Sequence, residues 1–166
     1  MPPLKTEAAA LARPPEAAWK PWLAAVLWLG LIAFESTDWL SSARTGSFLY
    51  FWLVRWFGPI NPIGFEAFHH DLRKAGHIFG YAMLSFLLFR AWRATFPRIA
   101  RARWSFCWAG IAWIMTALVA SLDEWHQTYL PSRTGTIWDV VLDSLAALAM
   151  QVVIWLVLKP RIDTTE

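Results

Sequence analysis

The sequence has a single cysteine, Cys107, so it can form neither an intramolecular disulfide nor a paired-cysteine metal motif. Cys107 lies inside an apolar run, where a buried packing role is the expectation. Charge is scarce as well. Only 16% of the 166 residues are charged while 57% are hydrophobic, which excludes an ordinary soluble domain. The net charge of +3 is not gathered in a solvated basic patch. The basic residues flank apolar runs, so membrane orientation explains them and a nucleic-acid partner is not expected. No GxSxG, no HExxH, no internal repeat and no low-complexity segment occurs.

Apolar runs and tryptophan are what the chain has in excess. Residues 1–18 are polar and proline-bearing and read as a mostly disordered tail. A first apolar helix is expected over Trp19–Ser36, short but adequate to span. Ser41-Ser42-Ala43 resembles a signal cleavage site, but the acids Glu35 and Asp38 before it and the long N-terminal region argue for retention. Ser47–Phe57, SFLYFWLVRWF, is too short to span and rich in aromatics. It predicts an amphipathic helix at headgroup level, stopped by Gly58 and Pro59. Asn61–Gly64 reads as a turn, with a helix starting near Phe65 and a second span over Leu72–Trp92. A third span is expected over Trp104–Ser121, with Pro131 breaking the chain beyond it, and a fourth over Ile137–Leu158. Residues 159–166 form a second short tail. The expected fold is therefore all-α: an integral membrane four-helix bundle over residues 19–158 with an additional interfacial amphipathic helix.

Four spans place both termini on one side. The tails and the linker between the second and third spans hold ten of the fifteen lysines and arginines, five of them arginines within Arg90–Arg103. The other side holds Arg44, Arg55, Arg73, Lys74 and Arg133. The positive-inside rule assigns the tails and the arginine linker to the cytoplasm.

That topology gives the polar residues of the spans a common depth. At about 100° per residue, His70, Lys74, His77, Tyr81 and Ser85 share one face of the second span. Asp123, Glu124 and Gln127 share a face with Thr116 at the end of the third. Asp139 and Asp143 stack one turn apart on the fourth, with Ala146 permitting close approach below them. Glu35 arrives at the same depth from the first span, and Arg133 lies in the short loop above. Ionisable residues inside a membrane face the protein interior or a cavity. The expectation is one polar pocket opening outward, lined by three spans, in which crowded carboxylates would share a proton.

The stretches RKAGHIFGYAMLSFLLF and ASLDEWHQTYLPSRTGTIWDVVLD resemble the VanZ-like family of small bacterial membrane proteins. That family carries Lys-x-x-His-x-x-x-Tyr on one span and Asp-Glu-x-x-Gln on the next. Pro-x-Arg and Asp-x-x-x-Asn/Asp then open the last. Lys74, His77, Tyr81, Asp123, Glu124, Gln127, Pro131, Arg133, Asp139 and Asp143 fit those positions. The resemblance covers about Phe65 to Met150. It implies a multi-pass protein of the bacterial inner membrane and a link to susceptibility to glycopeptides, specifically teicoplanin.

Three readings of the polar residues stand side by side. In the first, the pocket binds or transports a membrane lipid or lipid-linked envelope molecule, such as a lipopeptide. Lys74, Tyr81, Gln127, Arg133, Asp139, Asp143 and Glu35 are the candidate binding residues, Lys74 and Arg133 for phosphate. In the second, the protein is an enzyme on a lipid-linked envelope substrate, with Glu124 or Asp123 as general base and His77 as partner. In the third, the residues form a structural network without a ligand. No cofactor is expected. A metal is also not expected, because His70 and His77 stand two turns, about 10 Å, apart on one helix. His126 lies on a different face from Asp123 and Glu124.

Overall fold

The computed structural model describes residues 19–96, 104–131, 133 and 135–158. The expected tails at 1–18 and 159–166, and residues 97–103 of the arginine linker, lie outside them. The described chain is helical, with no strand among the described residues. It forms α1 (Trp19–Glu35), a 3-10 turn (Asp38–Leu40), α2 (Ser42–Phe57), α3 (Pro62–Thr95), α4 (Phe106–Gln127) and α5 (Ile137–Leu158).

The helix ends follow from their capping residues. Asn61 accepts a hydrogen bond from the Ile63 N–H at 3.0 Å, and Pro62 occupies the first helical position. The stretch expected as a turn is therefore the start of α3, three residues before Phe65. Ser105 caps α4 through the Cys107 N–H at 3.2 Å. Thr136 and Asp139 cap α5 reciprocally: the Thr136 hydroxyl donates to Asp139 at 2.8 Å, and the Asp139 N–H donates to Thr136 Oγ1 at 3.2 Å. Gly58, at φ +82°, ends α2 as expected. α2 begins at Ser42, five residues earlier than Ser47, so Arg44, Thr45 and Gly46 are helical.

By length and composition α4 and α5 are apolar enough to cross a membrane. α1 and the segment Asp38–Phe57 pass together as a pair bent by 66°. Two to three such helices are consistent with a membrane protein. Large apolar side chains cover the outer faces, among them Ile114, Leu118 and Leu122 on α4 and Leu145, Val152 and Leu156 on α5. An exposed apolar surface of this extent needs a non-aqueous partner.

Paired side chains fix the topology. Trp22 bonds Thr95, and Trp28 bonds the Gly80 carbonyl, so α1 and α3 run antiparallel. Phe89 meets Trp108 edge-on and Tyr81 bonds Asp123, so α3 and α4 are antiparallel too. His77 approaches Asp143 and, two turns on, Gln151 bonds Ser85, so α3 and α5 are parallel. The apolar core joins Leu84, Leu88 and Phe89 to Trp108, Ala112 and Ile154. Ala147, rather than Ala146, is the fully buried small residue where α5 meets α3. Cys107 is exposed, correcting the expectation of a buried thiol. The inward stripe of α4 passes through Trp108, Ala109 and Ala112 instead.

Candidate functional site

α3 and α5 run the same way and α4 runs against them. The N-terminal parts of α3 and α5 and the C-terminal end of α4 therefore meet at one end of the molecule. Their polar residues enclose a cleft of about 210 Å³ lined by Ser42, His70, Arg73, Lys74, His77, Glu124, Gln127, Arg133, Asp139, Leu142 and Asp143.

Within this cluster each carboxylate has its own surroundings. Asp143 is 1% exposed. His77 Nδ1 approaches its Oδ2 at 3.5 Å, but neither carboxylate oxygen has a hydrogen-bond partner among the described residues. Glu124 is buried and accepts the Thr136 N–H at 2.9 Å. This contact ties the last turn of α4 to the start of α5. Asp139 lies 3.9 Å from Lys74 Nζ and also accepts from the Thr136 hydroxyl. Lys74 and Asp139 are both partly exposed, so that pair contributes little to stability.

Asp123 is set apart from the cleft lining. Its Oδ2 accepts from the Tyr81 hydroxyl at 2.8 Å and from the Gln127 amide at 3.1 Å. Tyr81 and Gln127 thus serve one carboxylate, although Gln127 also borders the cleft.

Arg133 spans between helices. Its Nη2 donates to the carbonyls of Glu35 at 2.6 Å, Thr37 at 3.3 Å and Leu40 at 3.1 Å. Carbonyls at a helix C-terminus lack intrahelical partners, and a guanidinium satisfies them. Arg73 adds a bond to the Leu40 carbonyl at 3.0 Å. The Glu35 side chain is exposed and lines a neighbouring groove of about 350 Å³. Arg73, His77 and Arg133 line both groove and cleft.

The structure therefore brings Lys74, His77, Glu124, Gln127, Arg133, Asp139 and Asp143 to one cleft. It leaves Asp123 and Tyr81 behind it and Glu35 beside it. Ser42, His70, Arg73 and Thr136 join the site without having been singled out as binding residues. His70 and Arg73 lie one helical turn from Lys74 and His77, and Thr136-x-x-Asp139 is a capping pattern, so both signals are in the sequence.

Away from the cleft, Ser85 and Gln151 form a buried polar pair. The Gln151 amide donates to Ser85 Oγ at 2.7 Å and to the Ser85 carbonyl at 3.1 Å. His126 faces away from the cluster, 3.4 Å from Ser36 Oγ.

No curated protein and no solved structure matches the chain. The family model described as VanZ/LLP1 matches residues 21–158, which takes in every helix of the cleft. The chain belongs to the VanZ/LLP1 family.

Proposed function

We propose that this protein is a four-span inner-membrane protein that binds an anionic envelope lipid or lipopeptide in its cleft. The spans are α1, α3, α4 and α5, and α2 lies at headgroup level. α3 has 34 residues, about 51 Å of helix, and outreaches a hydrocarbon core of about 30 Å. Its polar first third then stands beyond the core. α2 exposes Phe48, Phe51, Trp52 and Trp56, a composition suited to the interface. The excess of cations in the tails and the arginine linker supports an outward cleft.

One observation carries the binding reading: the polar cleft and the adjoining groove share Arg73, His77 and Arg133. An amphiphile needs that combination. The cleft has the volume of about seven water molecules, enough for a phosphate-sized headgroup. The groove adds Leu40, Leu49 and Leu72 for an acyl chain. Arg73, Lys74 and Arg133 supply charge-assisted donors for phosphate. A changed susceptibility to glycopeptides such as teicoplanin would follow from altered access to that lipid.

Native mass spectrometry of the full chain in mild detergent, with added phosphatidylglycerol, tests the reading. One lipid bound per chain is expected, and the bound fraction should fall about tenfold in Lys74→Ala. Lipid bound equally by the parent and the variant, or by neither, overturns it.

Catalysis on a lipid-linked substrate is the second reading. It is favoured by the approach of His77, Glu124 and Asp143, whose polar atoms lie within 4.8 Å of one another. Glu124 would act as general base beside His77. Asp123, held by Tyr81 and Gln127, would position rather than react. Turnover of a labelled lipid-linked precursor, lost in Glu124→Gln, is the outcome that would put this reading first.

A further inference from the structure

We propose that His77, Glu124 and Asp143 form a site for one divalent cation of the zinc or manganese class. The three residues come from three different helices, and each offers a ligand atom within 4.8 Å of the other two. His77 Nδ1 and Asp143 Oδ2 are 3.5 Å apart. Two ligands bound at about 2.1 Å to one tetrahedral ion stand about 3.4 Å apart. This pair is already at coordination spacing, and the third ligand, within 4.8 Å of both, closes with a shift of at most about 1.4 Å.

Asp143 itself points to a ligand. Its carboxylate is buried, it borders the cleft, and neither oxygen has a hydrogen-bond partner among the described residues. Native proteins rarely leave a buried carboxylate with no contact but a long one to a single imidazole. Lys74 approaches Asp139 instead, and Arg133 Nη2 is taken up by backbone carbonyls. A divalent cation would satisfy Asp143 and neutralise the two carboxylates together, leaving an uncharged imidazole as third ligand. That is the electrically neutral set a low-dielectric site favours.

The donor chemistry narrows the ion. One imidazole and two carboxylates suit zinc or manganese, whereas magnesium and calcium prefer all-oxygen ligands. The Thr136 N–H, bonded to Glu124 Oε2 at 2.9 Å, orients that ligand from outside the coordination sphere. Three protein ligands leave a position for water or an oxyanion from the cleft. The site goes beyond lipid binding and stands whether or not the cleft takes an amphiphile. No motif shows it, because the ligands lie 47 and 19 residues apart along the chain (124 − 77 and 143 − 124).

The test uses tag-free full-length protein in detergent, stripped with a chelator and then titrated with zinc or manganese chloride. Ion content is read by elemental mass spectrometry after gel filtration. About one ion per chain and a raised melting temperature are expected. Asp143→Asn should reduce the content to that of the buffer, while Glu66→Gln, which changes an exposed acid near the start of α3, should keep it. Should Asp143→Asn fail to fold, Glu124→Gln preserves the acceptor for Thr136 and serves in its place. A folded parent that retains no ion overturns the proposal. So does a folded Asp143→Asn or Glu124→Gln that retains as much as the parent.

Discussion

Tyr81 on α3 donates its hydroxyl to Asp123 Oδ2 on α4 at 2.8 Å, with the ring almost wholly buried between the helices. The contact crosses from the apolar core to the polar end of the molecule. Tyr81→Phe keeps the ring packing and removes one donor, leaving Gln127 to serve the same oxygen. Interhelical polar contacts in bilayers average about 0.6 kcal/mol and reach about 1.7 kcal/mol. Equilibrium unfolding in mixed micelles should show a loss within that range. A loss several times larger would mean that Asp123 depends on Tyr81 alone.

Gly135 stands where the loop after α4 turns into α5. A Cβ there would overlap the Glu124 carbonyl oxygen and sit 3.0 Å from Thr128 Cγ2. The backbone oxygen cannot move without unwinding the last turn of α4. Gly135→Ala is expected to cost about 1–3 kcal/mol, the usual range for overpacking. It should also loosen the Thr136 contact to Glu124. A thermal melt checks the first effect, and amide exchange at Thr136 checks the second. An unchanged melt would show that the loop has room to shift.

Much of this architecture is legible in the sequence. α5 occupies Ile137–Leu158 as expected, because its apolar run is bounded by the capping pattern on one side and charge on the other. The 3.6-residue period places Lys74 and His77 on one face of α3, and Asp139 and Asp143 on one face of α5. Periodicity gives the direction of a side chain around its helix but not its partner on another helix. So it puts Asp123 and Glu124 together, while the structure separates them: Asp123 faces Tyr81 and Glu124 faces Thr136. The pairing of Ser85 with Gln151 is invisible for the same reason, although a lone amide in an apolar run is its signal. Arg133 reaches the end of α1 across 98 residues of chain, a contact only the assembled fold creates.

His69 supplies a dependence on pH. It lies before the apolar part of α3, buried, 3.2 Å from Thr45 Oγ1 and stacked on Phe65. Burial first, and the nearby Arg73 charge second, hold its pKa below the ordinary value of 6.5. The fold therefore favours the neutral ring. The stabilisation is full above the unfolded pKa and is lost as pH falls from there through the lowered folded pKa. Melting temperature should drop between about pH 7.5 and about pH 5.5, and the drop should be smaller in His69→Gln. Parallel pH profiles for the two proteins would show that His69 does not contribute.

On the proposed function, the buried acids of the cleft serve a ligand and are not retained to hold the helices together. The most direct measurement is the melting temperature of Glu124→Gln beside the parent, both chelator-stripped, in detergent at about pH 7. The amide keeps the shape and the acceptor for the Thr136 N–H while removing the charge and its proton. An unchanged or raised melting temperature is the predicted result, since groups kept for function are commonly held at a cost to stability. A large drop would overturn the ligand role and make Glu124 a structural tie between α4 and α5.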